Sequence, residues 1–222
     1  MNGTSENHYT AVMGMVISVS PVGEYNRRVV LLTRELGKIS CFARGARKPG
    51  SPLMASTDLF CFGTYRLFAG KDSYTIAEAD ISNYFTYFRS HIYEACVASY
   101  FLEIMDYCTR ENNDEAQLLL LLYCALSALE NGRLPASLVR SIFEIKTVML
   151  EGEYPGLPEN TVYTEAAMYA LKVLNDSAPS GIFCFTLSPE AEAQLQETAR
   201  QCMWSAFHHH FASLEVLETL AP

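Results

Sequence analysis

Lys38, Phe42 and Arg44 are the residues whose types and spacing point most directly to chemistry. Side chains alternate between the two faces of an extended strand. Lys38, Ser40, Phe42 and Arg44 therefore share one face, and Ile39, Cys41 and Ala43 share the other. The second set suits a barrel interior. The first sets an aromatic ring between cations, as single-stranded nucleic acid requires: phosphates take the charges and a base stacks on the ring, worth roughly 1–3 kcal/mol per base. Phe42 has a plainer reading too, as a packing residue under the 47–52 loop. Arg34, Arg47 and Lys48 lie in the adjoining turn and loop and extend the same basic patch. Arg27 and Arg28 are consecutive, so they point to opposite faces; one can reach a nucleic acid, while the other pairs with a carboxylate or caps a barrel rim. Arg66 and Lys71 are weaker candidates on a later hairpin. Five phosphate contacts on a single strand would give log affinity a slope against log salt of about −3.5.

Other chemistries find less support. His208-His209-His210 invites a metal, but adjacent helical residues point about 100° apart, so three in a row cannot all reach one ion, and the tract reads as a polar patch near a helix end. Seven cysteines, at 41, 61, 96, 108, 124, 184 and 202, sit among apolar residues without any Cys-x-x-Cys pair, as buried reduced thiols do. Paired carboxylates such as Asp114-Glu115, or Glu151 with Glu153, have no apolar pocket around them to raise a pKa. No nucleophile elbow, phosphate loop or His-Glu-x-x-His pattern occurs. The expectation is a protein without catalytic residues, metal or cofactor.

Charge is distributed unevenly. The 222 residues carry a formal net charge of −9. Residues 1–90 hold ten Lys+Arg and seven Asp+Glu, net +3, whereas residues 91–222 hold six and eighteen, net −12. A basic module joined to an acidic body is the natural reading. Because screening acts over about 8–10 Å in physiological salt, local charge governs what a phosphate feels. Nucleic acid should then keep to the first part of the chain. The longest apolar run, Leu118 to Leu129, is twelve residues and includes Ser127; a membrane span needs roughly twenty, so this is a buried helix. The polar stretch Met1 to His8 lacks a signal-peptide pattern, which predicts a cytoplasmic protein.

The elements that must position these residues follow from pattern. Strands are predicted at Tyr9 to Val19, Arg28 to Thr33, Ile39 to Ala43, Leu59 to Phe68 and Ser73 to Ala79. Turn signals at Ser20-Pro21-Val22-Gly23, Glu35-Leu36-Gly37-Lys38 and Ala69-Gly70-Lys71-Asp72 separate them, and Arg47 to Pro52 forms a loop. Five such strands fit a small Greek-key barrel of OB type, and equally a sandwich fragment or an SH3-like barrel. From about residue 88 the period becomes helical. Arg89 to Cys108 reads as a central helix, followed by one capped at Asn113-Asp114 and ending near Asn131-Gly132. A third has Pro135 at its first position and stops at Gly152. Tyr154 to Pro158 is a break, Thr161 to Asn175 a fourth helix, and Ser188-Pro189-Glu190 opens a long final one.

The stretch from Gly23 to Ile39, GEYNRRVVLLTRELGKI, followed by Ala43-Arg44-Gly45-Ala46-Arg47, resembles the signature of the RecO family. Gly152 to Leu157 is similar to that family's turn after its third core helix. Leu187 to Glu190 and Phe211 to Leu214 resemble the start and end of its C-terminal helix. The resemblance implies recombinational DNA repair without catalytic residues: binding of single- and double-stranded DNA and annealing of complementary strands. It also implies two partners, RecR and the C-terminal tail of single-stranded-DNA-binding protein, so that recombinase can load on DNA at the bacterial nucleoid. Many members carry four cysteines forming a zinc module after this turn. Here Pro158-Glu159-Asn160-Thr161 follows and no cysteine comes before Cys184, so no zinc is expected.

The resulting expectation is an OB-fold DNA-binding barrel over 1–82 and a helical domain over 83–222, with the zinc module reduced or absent around 153–185. The partner's acidic tail would find few cations on that domain; Arg133 and Arg140, flanking the third helix start, are the candidates. Two rivals stand beside this reading. One is a protein-interaction adaptor of the same fold with little DNA binding. The other is a thiol or histidine enzyme using Cys184 or Cys202 with His208 to His210.

Overall fold

The computed structural model describes residues 9–70, 73–157 and 162–220. Met1 to His8, Lys71 with Asp72, and Pro158 to Thr161 lie outside the described residues. Contacts divide the chain into two compact units. One runs through Phe85 and also takes Met105–Leu119; the other comprises Thr86–Ile104 and the residues from Leu120 onward.

The first unit is a closed five-stranded barrel: β1 (Tyr9–Val22), β2 (Asn26–Thr33), β3 (Gly37–Ala43), β4 (Phe62–Ala69) and β5 (Tyr74–Asn83), in the order β1-β2-β3-β5-β4. β4 returns to β1 in antiparallel register, from Tyr9↔Phe68 to Met15↔Phe62. The closing seam between β3 and β5 is the parallel one, made at Cys41↔Tyr74 and Phe42↔Thr75. This is the OB topology. Alternation drives it. Ile39, Cys41 and Ala43 are buried with Val12, Val16, Val29, Leu31, Leu67 and Ile76, each large aliphatic contributing about 1.5–3 kcal/mol on burial. The large polar side chain inside, Tyr65, donates its hydroxyl to the carbonyls of Ser56 and Cys61, so its burial leaves no orphaned group. A short helix, α1 (Leu53–Ser56), follows the expected 47–52 loop and supplies Leu53 to the same core.

One segment of this unit is distant in sequence. The backbone amide of Lys38 donates to the carbonyl of Arg110, and that of Asn112 donates to Leu36. Residues 110–112 thus lie along the start of β3. Gly37 makes this approach possible: its φ is +66°, and a Cβ there would fall 2.3 Å from the Arg110 carbonyl oxygen, so only glycine fits.

The remaining helices are α2 (Ile92–Cys108), α3 (Ala116–Asn131), α4 (Ala136–Leu150), α5 (Glu165–Asp176), α6 (Pro189–Phe207) and α7 (Ala212–Leu220). In the second unit α4 is the helix buried on nearly every side, with Leu138, Ile142, Phe143, Ile145 and Val148 inside and Phe143 stacked on Phe101 of α2 at 4.0 Å. Its buried polar residues are all occupied: Glu144 accepts from Tyr100 and Arg140, and the Lys146 ammonium donates to the carbonyls of Leu174 and Ser177 at the end of α5. α7 is held by the Glu103 carboxylate, which accepts from the Ala212 and Ser213 amides and the Ser213 hydroxyl.

Several boundaries differ from those predicted. β4 begins at Phe62, because Phe60 adopts φ +70° and the chain turns there. Arg89 belongs to a single 3-10 turn preceding α2. Pro135 is the cap of α4, in extended geometry, and not its first helical residue. α5 opens at Thr164, whose hydroxyl accepts from the Ala167 amide, and not at Thr161. The long final helix is two helices, broken at His208, which takes the left-handed conformation.

Candidate nucleic-acid interface

Strand parity places the predicted residues as follows. Lys38, Ser40 and Phe42 point outward from β3, and Arg28 points outward from β2 directly opposite Phe42 in the register. The Arg28 guanidinium donates to the Ser40 hydroxyl at 2.8 Å. Phe42 keeps 36% of its surface in solvent on the outer wall of the barrel. Arg44 lies in the turn just past β3; it is exposed and makes no hydrogen bond or ion pair with any described residue. Beyond it the chain turns back on the β1–β2 connection. The Asn26 side chain accepts from the Gly45 amide, Arg47 donates to the Gly23 carbonyl, and the Lys48 ammonium sits 5.4 Å over the Tyr25 ring. Glu24 is the acid at this end, and its hydrogen bond with Tyr25 raises that phenol's pKa.

Four of the expected cations are already neutralised. Arg27, on the inward side of its pair, binds Asp58 at 2.7 Å and also donates to Met54 and Thr57. Its neighbour Arg28 stays outside: consecutive arginines have divided the two roles by strand parity. Arg34 pairs with Glu35 at 3.1 Å and Arg66 with Glu78 at 2.7 Å. Lys38 is the more consequential case. Its ammonium bonds the Asp106 carboxylate at 3.0 Å and also the Asp106 carbonyl. Arg28, Lys38 and Ser40 with Asp106, Arg110 and Glu111 line a groove of about 440 Å³ on the barrel wall. The face therefore mixes charges around Lys38, while Arg28, at the border of that groove, and Arg44, Arg47 and Lys48, beyond it with Phe42, bring cations with no carboxylate partner among the described residues. The tie to Asp106 spans 68 residues and had no local signal in the sequence. Lys71 lies outside the described residues.

The remaining candidates take other roles. Arg140 is held between Glu144, at 2.8 Å, and the Tyr100 ring, at 5.4 Å. Burial lowers its pKa but the Glu144 carboxylate outweighs that and raises it. Together with Arg200 it lines a groove of about 390 Å³ between α4 and α6. Arg133 is exposed in the α3–α4 connection. The three histidines are not on one helix: His208 ends α6 against Trp204, His209 meets the Phe211 ring edge-on, and His210 reaches Glu215 at 3.3 Å. Cys184 is exposed, contrary to expectation, with its thiol donating to the Gly181 carbonyl. Burial pushes the Cys41 thiol up to about 12 and the Cys202 thiol up to about 11, the reverse of an activated nucleophile. No three His, Cys, Asp or Glu among the described residues gather around a metal-sized space. Between Gly152 and Leu187 the sequence holds one cysteine and no histidine, so the donor set of a structural zinc site, four Cys or His ligands, does not fit this chain. No described helix is long and apolar enough to cross a membrane.

The fold and its outward row define an OB-barrel protein with an appended helical unit and a cation–aromatic face on β2 and β3. The family described as Recombination protein O N terminal matches residues 9–85, and Recombination protein O C terminal matches 89–162. The chain belongs to the RecO family. It is similar to the DNA repair protein RecO of Acetivibrio thermocellus, 27% identical over 96% of this chain and 98% of that protein. It is also similar to the proteins of the same name from Symbiobacterium thermophilum, 36% identical over 66% of this chain, and Halalkalibacterium halodurans, 33% identical over 66%. Those two matches span 58% and 57% of the relatives' own lengths.

Proposed function

We propose that the chain is a non-catalytic recombination mediator that binds DNA on the outer face of β2 and β3 and promotes annealing of complementary strands. The observation that carries this reading is the opposition of Arg28 and Phe42 in the register, with Arg44 two residues further on and, among the described residues, no carboxylate paired to either arginine. A base stacked on Phe42 leaves its flanking phosphates within reach of a cation on each side. Annealing needs no covalent step: positive charge offsets the repulsion between two phosphate backbones while the bases find their partners. Single strands engage both ring and charges; a duplex engages the charges alone. In this reading the chain acts with RecR and with the acidic tail of single-stranded-DNA-binding protein to help load recombinase. Arg133 is the solvent-exposed cation for that tail, whereas Arg140 is already committed to Glu144.

The test is annealing of complementary oligonucleotides by the wild type and by a Phe42→Ala, Arg44→Glu double variant. Loss of annealing at an unchanged melting temperature supports the reading. Equal annealing by both proteins removes it, and a wild type that binds no DNA at low salt leaves the adaptor reading in its place.

A further inference from the structure

The row that contains Arg28 and Phe42 does not stop at β3. Following register partners around the barrel, Phe42 lies beside Thr75 on β5, Thr75 opposite Phe68 on β4, and Phe68 opposite Tyr9 on β1. Directly opposed residues share a face of the sheet, so all five point outward. Phe68 and Tyr9 are 38% and 46% exposed and meet edge to face at 6.3 Å. The Arg66 guanidinium lies 5.2 Å over the Tyr9 ring while its other side holds Glu78. Phe42 and Phe68 are two strand spacings apart, about 10 Å, with the small Thr75 between them. The β3–β5–β4 wall is therefore a shallow trough with an aromatic on either bank. Arg28 and Arg44 stand at one end and Arg66 at the other.

We propose that this second face is a continuation of the single-strand site: a single strand leaving Phe42 crosses Thr75 and stacks a further base on Phe68, backed by Tyr9, with Arg66 exchanging Glu78 for a phosphate. The inference rests on the DNA-binding reading of β2 and β3 and extends it to β4 and β1, beyond the strands 2–3 face that OB barrels ordinarily use. The occupant is set by the alternation of exposed rings with guanidinium groups, which suits bases and phosphates and leaves an apolar protein segment with cations to bury. Duplex DNA gains nothing here, because its bases are already stacked.

The experiment uses tryptophan reporters in the full chain. Trp204 is the single native tryptophan and lies on α6, so Trp204→Phe provides a silent background. In it, Phe42→Trp and Phe68→Trp are titrated with oligo(dT) and with duplex DNA, binding being followed independently by the anisotropy of a labelled oligonucleotide. The expected result is quenching of both reporters by oligo(dT), quenching of neither by duplex, and a loss of single-strand affinity of roughly 5- to 150-fold in Phe68→Ala. Binding that quenches the residue 42 reporter but not the residue 68 reporter overturns this inference and leaves the β2–β3 reading intact. Absence of any anisotropy change overturns both.

Discussion

Neutralising Arg28 and Arg44 together should change the salt dependence of DNA binding by an amount the structure sets in advance. Four cations on the β2–β3 face, Arg28, Arg44, Arg47 and Lys48, have no carboxylate partner among the described residues. A single strand on this face therefore releases counterions from about four phosphates, and the slope, before any contribution from Arg66, is about −0.7 × 4, or −2.8. This is shallower than the −3.5 expected from sequence, because Lys38 and Arg34 are already held by Asp106 and Glu35. Arg28→Gln with Arg44→Gln removes two contacts and should bring the slope to about −1.4. At 0.1 M salt each contact is worth about 0.7 log unit relative to 1 M, so the pair costs about 25-fold in affinity. Both side chains point to solvent, so melting temperature should not move. The assay is anisotropy of a labelled oligo(dT) titrated from low to moderate salt, with Lys38→Gln measured alongside. Lys38→Gln should leave the slope unchanged. A double variant that keeps the wild-type slope, or a Lys38→Gln that loses as much as the double variant, would refute the assignment.

Other outcomes follow from the same contacts. Asp106→Asn leaves Lys38 charged but unneutralised, so the slope should steepen by about 0.7, to roughly −3.5; an unchanged slope would mean that Lys38 never faces DNA. Glu144→Ala strands a guanidinium of which only 26% is exposed and should cost about 3 kcal/mol in urea denaturation, the low end for breaking a buried pair; adding Arg140→Met should recover most of it. The Glu103 carboxyl is pushed up by burial but held below its usual value by its bonds to Ser213 and Ala212. A carboxyl depressed in the folded state stabilises above its unfolded pKa of 4.5, and the contribution is lost as pH falls through the folded value. Glu103→Gln should therefore be less stable than wild type at pH 7, and the gap should close as pH drops below 4.5. In thiol labelling at neutral pH, Cys184 should react at an ordinary rate and Cys41 and Cys202 only on unfolding; one hyper-reactive thiol would revive an enzymatic role.

What the sequence could reveal depended on how far each cause lies along the chain. The faces of β3 were legible because alternation is a local rule: Ile39, Cys41 and Ala43 went in, and Lys38, Ser40 and Phe42 came out. That Arg27 and Arg28 take opposite faces was legible for the same reason; that Arg27 is the inward one, and that it meets Asp58 and does not simply cap the rim, came only from the fold. The fate of Lys38 was not, since its partner sits 68 residues away and only the close approach at Gly37 brings it there. Phe60 and His208 hid the start of β4 and the end of α6, because neither side chain advertises a positive φ. The fourth helix was expected from Thr161, which lies outside the described residues; Thr164 caps it, and the Gln194 side chain that accepts from the Thr164 amide and hydroxyl is 30 residues away, with no local signal.

The seam between β3 and β5 carries a mechanical consequence. Every other neighbour in the barrel is joined by a long antiparallel ladder, whereas these two strands meet at two register pairs. Breathing of the cylinder should begin there, with whichever of the Cys41 and Phe42 amides points across the seam exchanging deuterium sooner than those of β1. A polymer lying across the seam would act as a clasp, slowing that exchange in proportion to its occupancy.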